Sequence, residues 1–366
     1  MENKNNTTRP HFLHLRPNDY SALAADMGLA KFRGKQMAQW VYSKKVVNLD
    51  AMTNLSGELR QELASRLDWE LPSVHHRVDS DDGASKLILR TSRSQAMETV
   101  IMRYEGRTAL CVSSQVGCKL ACSFCQTGKM GFMRHLTRGE ILGQYVVAQN
   151  LLDQAGENRR ISHVVFMGMG EPLDNYDGAV GAATSLIEDF GLSHKNVTVS
   201  TSGLVPQIDR LTEECPAALA ISLHACRDDL RTSLMPINRK YPLAMLKESL
   251  LNYQKKTGKK ITLEYIMLKG VNCGRREAKD LVRFIHGLRV KVNLIPFNDH
   301  PGVEYGRPED EDIRAFQAYL TARSIPAPVR YSKGLGVSAA CGQLAAKQGD
   351  ITAKPRRHDL ILNEDS

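Results

Sequence analysis

Residues 118–125, with the sequence CKLACSFC, decide how the rest of this 366-residue chain is interpreted. Cys118, Cys122 and Cys125 stand in the spacing CxxxCxxC, so all three thiols can turn towards one metal centre. A structural zinc site uses four ligands, usually in two pairs, and no second CxxC pair exists, so zinc is the weaker interpretation. A ferredoxin-type carrier likewise uses four thiolates per cluster. Three cysteines would instead leave one iron of a 4Fe-4S cluster open to a substrate or cofactor.

The composition of the chain indicates its compartment and its class of partner. No stretch of about 18 apolar residues occurs and the N-terminus has no apolar signal core, which predicts a soluble cytoplasmic protein without a membrane partner. Eight cysteines without a signal peptide indicate metal ligands, catalytic thiols and small buried side chains rather than a disulfide framework. The formal charge of +9 favours an anionic partner, of which nucleic acid is the commonest.

The hydrophobic pattern divides the chain into four parts. Residues 1–72 predict a small accessory domain of short amphipathic helices, which we expect to be able to dock RNA. Residues 73–107 alternate in polarity and predict a β extension. Residues 108–347 predict the catalytic core, and residues 348–366 a C-terminal tail.

Six strand-like segments alternate with helical segments in the core, which predicts an α/β fold with a parallel sheet and helices outside it. The strand candidates are 108–112, 163–167, 196–200, 219–223, 261–267 and 290–295. The helix candidates are 17–27, 34–45 and 56–67 in the first part, and 137–153, 177–190, 205–214, 242–256, 275–287 and 309–323 in the core. Functional residues in such folds gather where the carboxyl ends of the strands meet their loops.

Glycines and polar side chains follow four of these strands. The second strand runs into MGMGEP, where Gly170 lets the backbone approach a ligand and Glu171 can accept a hydrogen bond from an ammonium group. The third, fourth and sixth strands end in STSG, SLH and NLIPFN. A lone histidine such as His224 is more often a buried structural residue. Together, however, the four strand ends suit recognition of a ribose and of the charged groups of an amino acid.

Two further cysteines and one carboxylate stand out less clearly. Cys341 lies among small residues in the segment SAACGQL, which suits a nucleophile, although a buried free cysteine is the usual explanation. Cys111, seven residues before Cys118, is a second candidate thiol. Glu98 lies in a predicted strand and would ordinarily be a carboxylate at a strand edge.

The cysteine run with its Phe124 resembles the signature of the radical S-adenosylmethionine (SAM) superfamily. Six ordered segments together resemble the RlmN/Cfr family of radical SAM adenine methyltransferases, which act on RNA. These segments are CVSSQVGCKLACSFCQTGKMGF, FMGMGEPL, STSG, ISLHA, NLIPFN and AACGQL. The match runs in order from about residue 30 to about residue 347. The resemblance implies a partial (β/α)6 radical SAM barrel.

The resemblance also implies a role for each residue of the candidate site. One 4Fe-4S cluster would be held by Cys118, Cys122 and Cys125. SAM would be bound by Gly170, Glu171, Ser200, Ser222, Leu223, His224 and Asn298. Cys341 would take a methyl group from one SAM, and a second SAM would supply the 5′-deoxyadenosyl radical that activates it. Glu98 would then remove the ring proton, and Cys111 would form a transient disulfide with Cys341 to release the product.

The implied substrates are an adenosine in the peptidyl-transferase region of 23S rRNA and, for the RlmN branch, the adenosine that follows the anticodon in some transfer RNAs. RlmN enzymes methylate carbon 2, whereas Cfr enzymes methylate carbon 8 and confer antibiotic resistance. The GEPL and KMGF segments resemble the RlmN branch more closely. We expect a monomer, with an electron donor such as flavodoxin or ferredoxin. The non-enzymatic alternative is a basic RNA-binding protein with a structural metal site, which predicts no SAM cleavage.

Overall fold

A nine-stranded sheet organises the structure, a computed structural model that describes residues 9–300, 302–334, 338 and 342–344. In chain order the strands are β1 (Ser73–Asp79), β2 (Ala84–Arg90), β3 (Ala96–Tyr104), β4 (Arg107–Cys111), β5 (Gln115–Gly117), β6 (Phe132–His135), β7 (Ile161–Phe166), β8 (Val197–Thr201), β9 (Ala218–Ser222), β10 (Ile261–Met267) and β11 (Val290–Pro296). The sheet has the order β1-β2-β3-β4-β7-β8-β9-β10-β11, and β5 and β6 form a separate antiparallel pair.

Helices alternate with the strands of the core. The α-helices are α1 (Pro17–Asp26), α2 (Lys31–Ala38), α3 (Gly57–Arg66), α4 (Gln126–Lys129), α5 (Arg138–Gln154), α6 (Tyr176–Glu188), α7 (Val205–Glu214), α8 (Asp228–Leu234), α9 (Leu243–Thr257), α10 (Arg275–Ile285) and α11 (Asp310–Thr321). Single 3-10 turns lie at Phe12–His14, Leu49–Ala51 and Pro236–Arg239, and a π turn at Gln39–Ser43. None of the helices described is both long enough and apolar enough to cross a bilayer.

The six strands from β4 to β11 in the nine-stranded sheet are parallel neighbours, which confirms the predicted α/β fold. The sheet does not close, because β11 does not return to pair with β4, so the architecture is a partial (β/α)6 barrel. Instead, residues 326–330 cover the free edge of β11. The amides of Val292 and Leu294 donate to the carbonyls of Pro326 and Pro328, at 2.8 and 3.0 Å. This covering removes a row of unpaired backbone groups that would otherwise favour aggregation.

Local sequence signals set the ends of the long core helices. Thr137 caps α5 by accepting a hydrogen bond from the amide of Glu140, whose carboxylate accepts one from the amide of Thr137 in return. This reciprocal capping box satisfies two donors that a helix start leaves unpaired. At its C-terminal end, α9 is followed by Gly258, which adopts the left-handed conformation (φ 68°) that favours glycine.

The predicted β extension is an antiparallel meander that continues into the barrel sheet. Strands β1 to β4 pair in sequence, and β4 then pairs in parallel with β7. In the register of β3 and β4, Val100 lies opposite Cys111. As a result, Glu98 on β3 lies close to Cys111 on β4, which is the first strand of the barrel.

The N-terminal helices pack against the outside of the barrel. The Tyr42 ring meets the Phe190 ring edge-on at 5.0 Å, and Arg16 forms an ion pair with Asp189 at 3.0 Å. The second predicted helix, over residues 34–45, differs in detail, because α2 begins at Lys31 and passes into the π turn at Gln39–Ser43. The apolar side chains of these helices join those of the barrel in one continuous core.

Candidate active site

One cavity of about 160 Å³ lies where the parallel strands end. Its walls come from the cysteine loop, from the strands β7 to β11, from the loops that follow β7, β8 and β9, and from Met235 and Gly342. The predicted site residues on its lining are Cys118, Cys122, Cys125, Gly170, Glu171, Ser200, Ser222 and His224. The fold therefore brings together residues that lie up to 106 positions apart in the chain, from Cys118 to His224.

The three cysteines of the motif line the cavity on a short loop between β5 and α4. The amide of Cys118 donates to Gly131 at 3.0 Å, and that of Cys125 donates to Cys122 at 3.1 Å, which turns the loop around the cavity. Burial raises the pKa of Cys118 to about 12 and that of Cys122 well above its ordinary value. Positive metal ions would offset the cost of burying these thiolates.

The three thiols line one cavity in a way that can hold an iron-sulfur cluster. Among the described residues, no group of three His, Cys, Asp or Glu side chains is arranged to hold one metal ion. In a 4Fe-4S cluster each thiolate binds a different iron, so the ligands surround the cluster rather than meet at one point. Three thiols that line one cavity without converging on one ion fit that requirement.

The loop after β7 is held against Gln115. Gly170 has φ 97°, and a Cβ atom added to it would lie 2.5 Å from Cβ of Gln115. The same glutamine accepts a hydrogen bond from the amide of Glu171 at 2.8 Å. Both the conformation and the close approach therefore require glycine at position 170.

Glu171 is a buried carboxylate on the cavity wall. Its oxygens accept hydrogen bonds from the amide and the hydroxyl of Ser202, at 2.8 and 2.6 Å, and from the amide of Leu173 at 3.0 Å. Burial raises the pKa of Glu171 in spite of these donors. An ammonium group in the cavity would stabilise the ionised form of this carboxylate.

His224 is a neutral hydrogen-bond donor on the cavity lining. The amide of Ile266 donates to its Nδ1 at 3.0 Å, so Nδ1 carries no proton and Nε2 carries the ring proton. Burial, with the nearby positive Arg231, lowers the pKa of His224 to about 3. The imidazole also packs edge-on against Phe124, with ring centroids 4.9 Å apart. The left-handed backbone at His224 (φ 60°) marks a sharp turn after β9.

Two of the predicted SAM contacts are not among the residues that line the cavity. The Leu223 side chain is fully buried in the main core, and its carbonyl accepts a hydrogen bond from Arg231 at 3.2 Å. The amide of Asn298, beyond the end of β11, donates to the Ser332 hydroxyl at 2.9 Å. A ligand contact from Leu223 would have to use its backbone, whereas Asn298 has a second N–H and a carbonyl oxygen that the bond to Ser332 does not use.

Glu98 and Cys111 lie beside the cavity rather than on its lining. Glu98 is buried, and Nζ of Lys86 lies 3.8 Å from its Oε1. Cys111 belongs to a small apolar cluster formed with Ala84, Ala96, Val100, Met169 and Leu344. Met169 lies in the loop after β7, so this cluster connects β3 and β4 to the cavity wall.

Cys341 lies outside the described residues, but the residues that follow it are described. The carbonyl of Gly342 accepts a hydrogen bond from the amide of Gln126 at 2.8 Å, and that of Leu344 accepts one from the hydroxyl of Thr127 at 2.6 Å. Gly342 also lines the cavity. The chain next to Cys341 is therefore attached to α4, directly after the last cysteine of the motif.

Glu264 is a cavity residue that the sequence analysis did not identify. It lies within β10, accepts a hydrogen bond from Nδ2 of Asn293 at 2.9 Å, and is almost fully buried. Burial raises its pKa to about 7. A single acidic residue within the apolar segment ITLEYIM was the signal that could have revealed it.

Arg231 on α8 is a second residue that the sequence did not reveal. Its guanidinium is fully buried and donates to the carbonyls of Ser202, Ser222 and Leu223, and to the side chain of Asn238. These carbonyls belong to the loops that carry the cavity residues after β8 and β9. Arg231 therefore fixes the two loops relative to each other without lining the cavity itself.

Comparison with known proteins places these features in context. Residues 112–285 match the radical SAM superfamily, and residues 12–68 match the ribosomal RNA large subunit methyltransferase N-terminal domain. The chain is 43% identical over 338 residues to the dual-specificity RNA methyltransferase RlmN of Alkalilimnicola ehrlichii. The aligned region spans 92% of this chain and 93% of that protein. A crystal structure of a radical SAM methyltransferase from Sphaerobacter thermophilus is also similar, with a TM-score of 0.88 and 44% identity over 92% of this chain and 100% of that one.

Proposed function

The chain belongs to the RlmN family of radical SAM RNA methyltransferases, and from this premise we propose that it methylates carbon 2 of a specific adenosine in the peptidyl-transferase region of 23S rRNA. The adenosine 3′ to the anticodon of some transfer RNAs is its second substrate. The observation that carries the proposal is one cavity, which is lined by the three motif cysteines, Glu171 and His224.

The cavity residues divide into a cluster site and a SAM site. Membership of the radical SAM superfamily implies a 4Fe-4S cluster and SAM, which together supply an electron, a methyl group and a 5′-deoxyadenosyl radical. Cys118, Cys122 and Cys125 would hold the cluster. Glu171 would accept the SAM ammonium group, and Nε2–H of His224 would donate to another polar group of SAM. The other predicted SAM contacts are Gly170, Ser200, Ser222, Leu223 and Asn298.

Cys341 is the proposed nucleophile, and two SAM molecules serve each turnover. Its thiolate attacks the methyl carbon of the first SAM, so that a sulfur–carbon bond forms at Cys341 and the sulfonium–methyl bond breaks. The 5′-deoxyadenosyl radical derived from the second SAM would take one hydrogen atom from this S-methyl group, which would leave a methylene radical. This route is needed because ring carbon 2 of adenine is electrophilic and cannot attack the methyl group of SAM directly. A nucleophilic carbon radical can add to it.

Glu98 and Cys111 complete the proposed reaction. After the new carbon–carbon bond has formed, the adduct would return one electron to the cluster held by Cys118, Cys122 and Cys125, and Glu98 would accept the proton of ring carbon 2. Cys111 then attacks the sulfur of Cys341, so that a disulfide forms, the carbon–sulfur bond breaks and the product takes up a proton. Cellular thiols reduce the disulfide before the next turnover. The packing of Cys111 in one cluster with Met169 and Leu344, and the burial of Glu98 on the neighbouring strand, support these roles.

The RNA substrate has to reach this cavity from a folded loop. The +9 charge suits phosphate binding, and the proposed docking domain at residues 1–72 contains the segment that matches the ribosomal RNA methyltransferase N-terminal domain. The target base must leave its stack to enter the cavity. We further propose a monomeric cytoplasmic enzyme, in which flavodoxin or ferredoxin donates the electron.

The product of the reaction tests this function. The reconstituted protein is incubated without oxygen with reductant, SAM and unmodified 23S rRNA or transfer RNA, and nucleosides are identified by mass spectrometry. We expect 2-methyladenosine in both RNAs, and none with Cys341→Ala. Formation of 8-methyladenosine would place the enzyme in the Cfr branch. SAM cleavage without any methylated adenosine would contradict the proposed substrate, and absence of SAM cleavage would favour a basic RNA-binding protein with a structural metal site.

A further inference from the structure

Lys86 and Glu98 are two charged side chains on the face of the β extension that also carries the apolar cluster of Ala84, Ala96 and Val100. Lys86 lies opposite Val100, and Glu98 lies opposite Ile88, so the two charges are diagonal neighbours on adjacent strands. Nζ of Lys86 lies 3.8 Å from Oε1 of Glu98, and their side chains are 12% and 3% exposed. Charged groups as buried as these are found almost only in pairs, because each alone would lose its hydration without compensation.

Lys86 also contacts the segment that carries Cys341. Its Nζ donates a hydrogen bond to the carbonyl of Ser338 at 3.3 Å, three positions before that cysteine. On the other side of Cys341, the carbonyl of Gly342 accepts from the amide of Gln126 at 2.8 Å. The segment is thus attached to Lys86 before the cysteine and to α4 after it.

On the described strands beside Glu98, no other cation takes the place of Lys86. The remaining titratable or charged side chains on the same face are His76 on β1, Arg90 on β2, Tyr104 on β3, and Arg107 and Cys111 on β4. Tyr104 and Arg107 lie at the far end of their strands, six residues along β3 from Glu98. Arg90 is exposed and donates to Ser94 at 2.9 Å. His76 is separated from Glu98 by Ile88 on β2. Lys86 is therefore the cation on these strands that is both sheltered from solvent and within 4 Å of the carboxylate.

We propose that Lys86 is a positioning residue that keeps Glu98 ionised and holds it in register with the segment bearing Cys341. The inference rests on the proposed roles of Glu98 and Cys341. A lysine at this distance favours the carboxylate form, so Glu98 is ready to accept the ring proton. The same ammonium group holds the carbonyl of Ser338, so Glu98 is fixed relative to the backbone three positions before Cys341.

The test compares Lys86→Met with Lys86→Arg, and uses Lys255→Met, an exposed lysine on α9, as the control. Methylation rates are measured from pH 5.5 to 8.5. We expect Lys86→Met to move the acidic limb of the profile upwards by at least about one pH unit. Lys86→Arg retains the wild-type limb. If Lys86 had only a structural role, Lys86→Met would lower the methylation rate equally at every pH, and that result would overturn the proposal. Equal shifts of the acidic limb in Lys86→Met and Lys86→Arg would overturn it as well.

A second measurement does not depend on activity. The Glu98 carboxyl is titrated by 13C NMR in glutamate-labelled protein, with its signal assigned by its loss in Glu98→Gln. We expect its pKa to rise by at least about one unit in Lys86→Met and to stay near the wild-type value in Lys86→Arg. An unchanged pKa in Lys86→Met refutes the inference. If Lys86→Met does not fold, the double variant Lys86→Met/Glu98→Gln should be as stable as Glu98→Gln alone, because the buried charge that needs Lys86 is gone. A double variant that also fails to fold refutes the inference. A wild-type protein that forms no methyladenosine would instead refute the proposed function, and the titration would still decide the role of Lys86.

Discussion

Asn293 donates its side-chain amide to Oε1 of Glu264 at 2.9 Å, and this pair lies buried between β10 and β11 at the cavity. The hydrogen bond favours the ionised carboxylate, but burial outweighs it and raises the pKa of Glu264 from 4.5 to about 7. Between these two pH values the folded protein binds a proton that the unfolded chain releases. The stability contributed by Glu264 is therefore full below about pH 4.5 and is lost as the pH rises through 7.

Glu264→Gln should remove this dependence. From pH 5 to 8, we expect the free energy of unfolding of the wild type to fall relative to that of the variant by about 2 kcal/mol. Urea unfolding at several pH values measures the difference. The control Glu248→Gln, at an exposed position on α9, should give a constant difference. A constant difference for Glu264→Gln as well would show that the carboxyl is ionised throughout this range.

Arg231→Met should strongly destabilise the fold and weaken SAM binding. The substitution leaves the buried carbonyls of Ser202, Ser222 and Leu223 without this donor, which we expect to cost about 3 kcal/mol or more. Urea unfolding and SAM titration measure the two effects. Arg283→Met is the matched control, because that side chain is 81% exposed. Equal unfolding midpoints for the two variants would exclude a clamping role for Arg231.

Gly170→Ala should abolish tight SAM binding while the fold persists. The added Cβ meets Gln115 at 2.5 Å, and the backbone conformation disfavours any other residue, so the loop carrying Glu171 must move. We expect the Kd for SAM to rise at least about tenfold, which corresponds to about 1.4 kcal/mol. Gly156→Ala is the control, because Gly156 also has a positive φ (66°) but has open space where the new Cβ would lie. SAM binding by Gly170→Ala as tight as by Gly156→Ala would argue against this SAM site.

Alanine at any one of Cys118, Cys122 and Cys125 should prevent assembly of a stable cluster. Each thiolate is proposed to bind a different iron, so the remaining two cannot hold the cluster against exchange. Iron and sulfide content after anaerobic reconstitution measures the loss. Cys215→Ala should retain a full cluster, because Cys215 is buried in the main core away from the cavity. Full cluster content in a variant of the motif would remove that cysteine from the ligand set.

The sequence predicted the parallel strands well because each is buried and reads as a short apolar run. Strand β10 has the predicted bounds, Ile261–Met267. The pair formed by β5 and β6 was not predicted, since these strands have only three and four residues. On β6, Phe132 and Met133 are exposed, so the strand shows little apolar alternation. Its formation depends on the partner strand rather than on a local pattern.

The candidate site was predictable where its residues lie at strand ends, and less so elsewhere. Gly170, Glu171 and His224 were identified from their loops, and the structure places them on one cavity. Glu264 and Arg231 were missed, because their surroundings are set by packing between distant segments. Leu223 and Asn298 are not on the cavity lining. The roles of all the predicted site residues, Cys341 included, stay predictions.

The most direct test of the central claim, methyl transfer through Cys341, uses SAM with a trideuterated methyl group. The S-methyl group on Cys341 first carries three deuterium atoms, and one of them passes to the 5′-deoxyadenosyl radical. We therefore predict 2-methyladenosine with two deuterium atoms, together with 5′-deoxyadenosine that carries one. Mass spectrometry of both products from the same reaction measures this directly. A product with all three deuterium atoms would show that the methyl group moves intact, and would contradict the account.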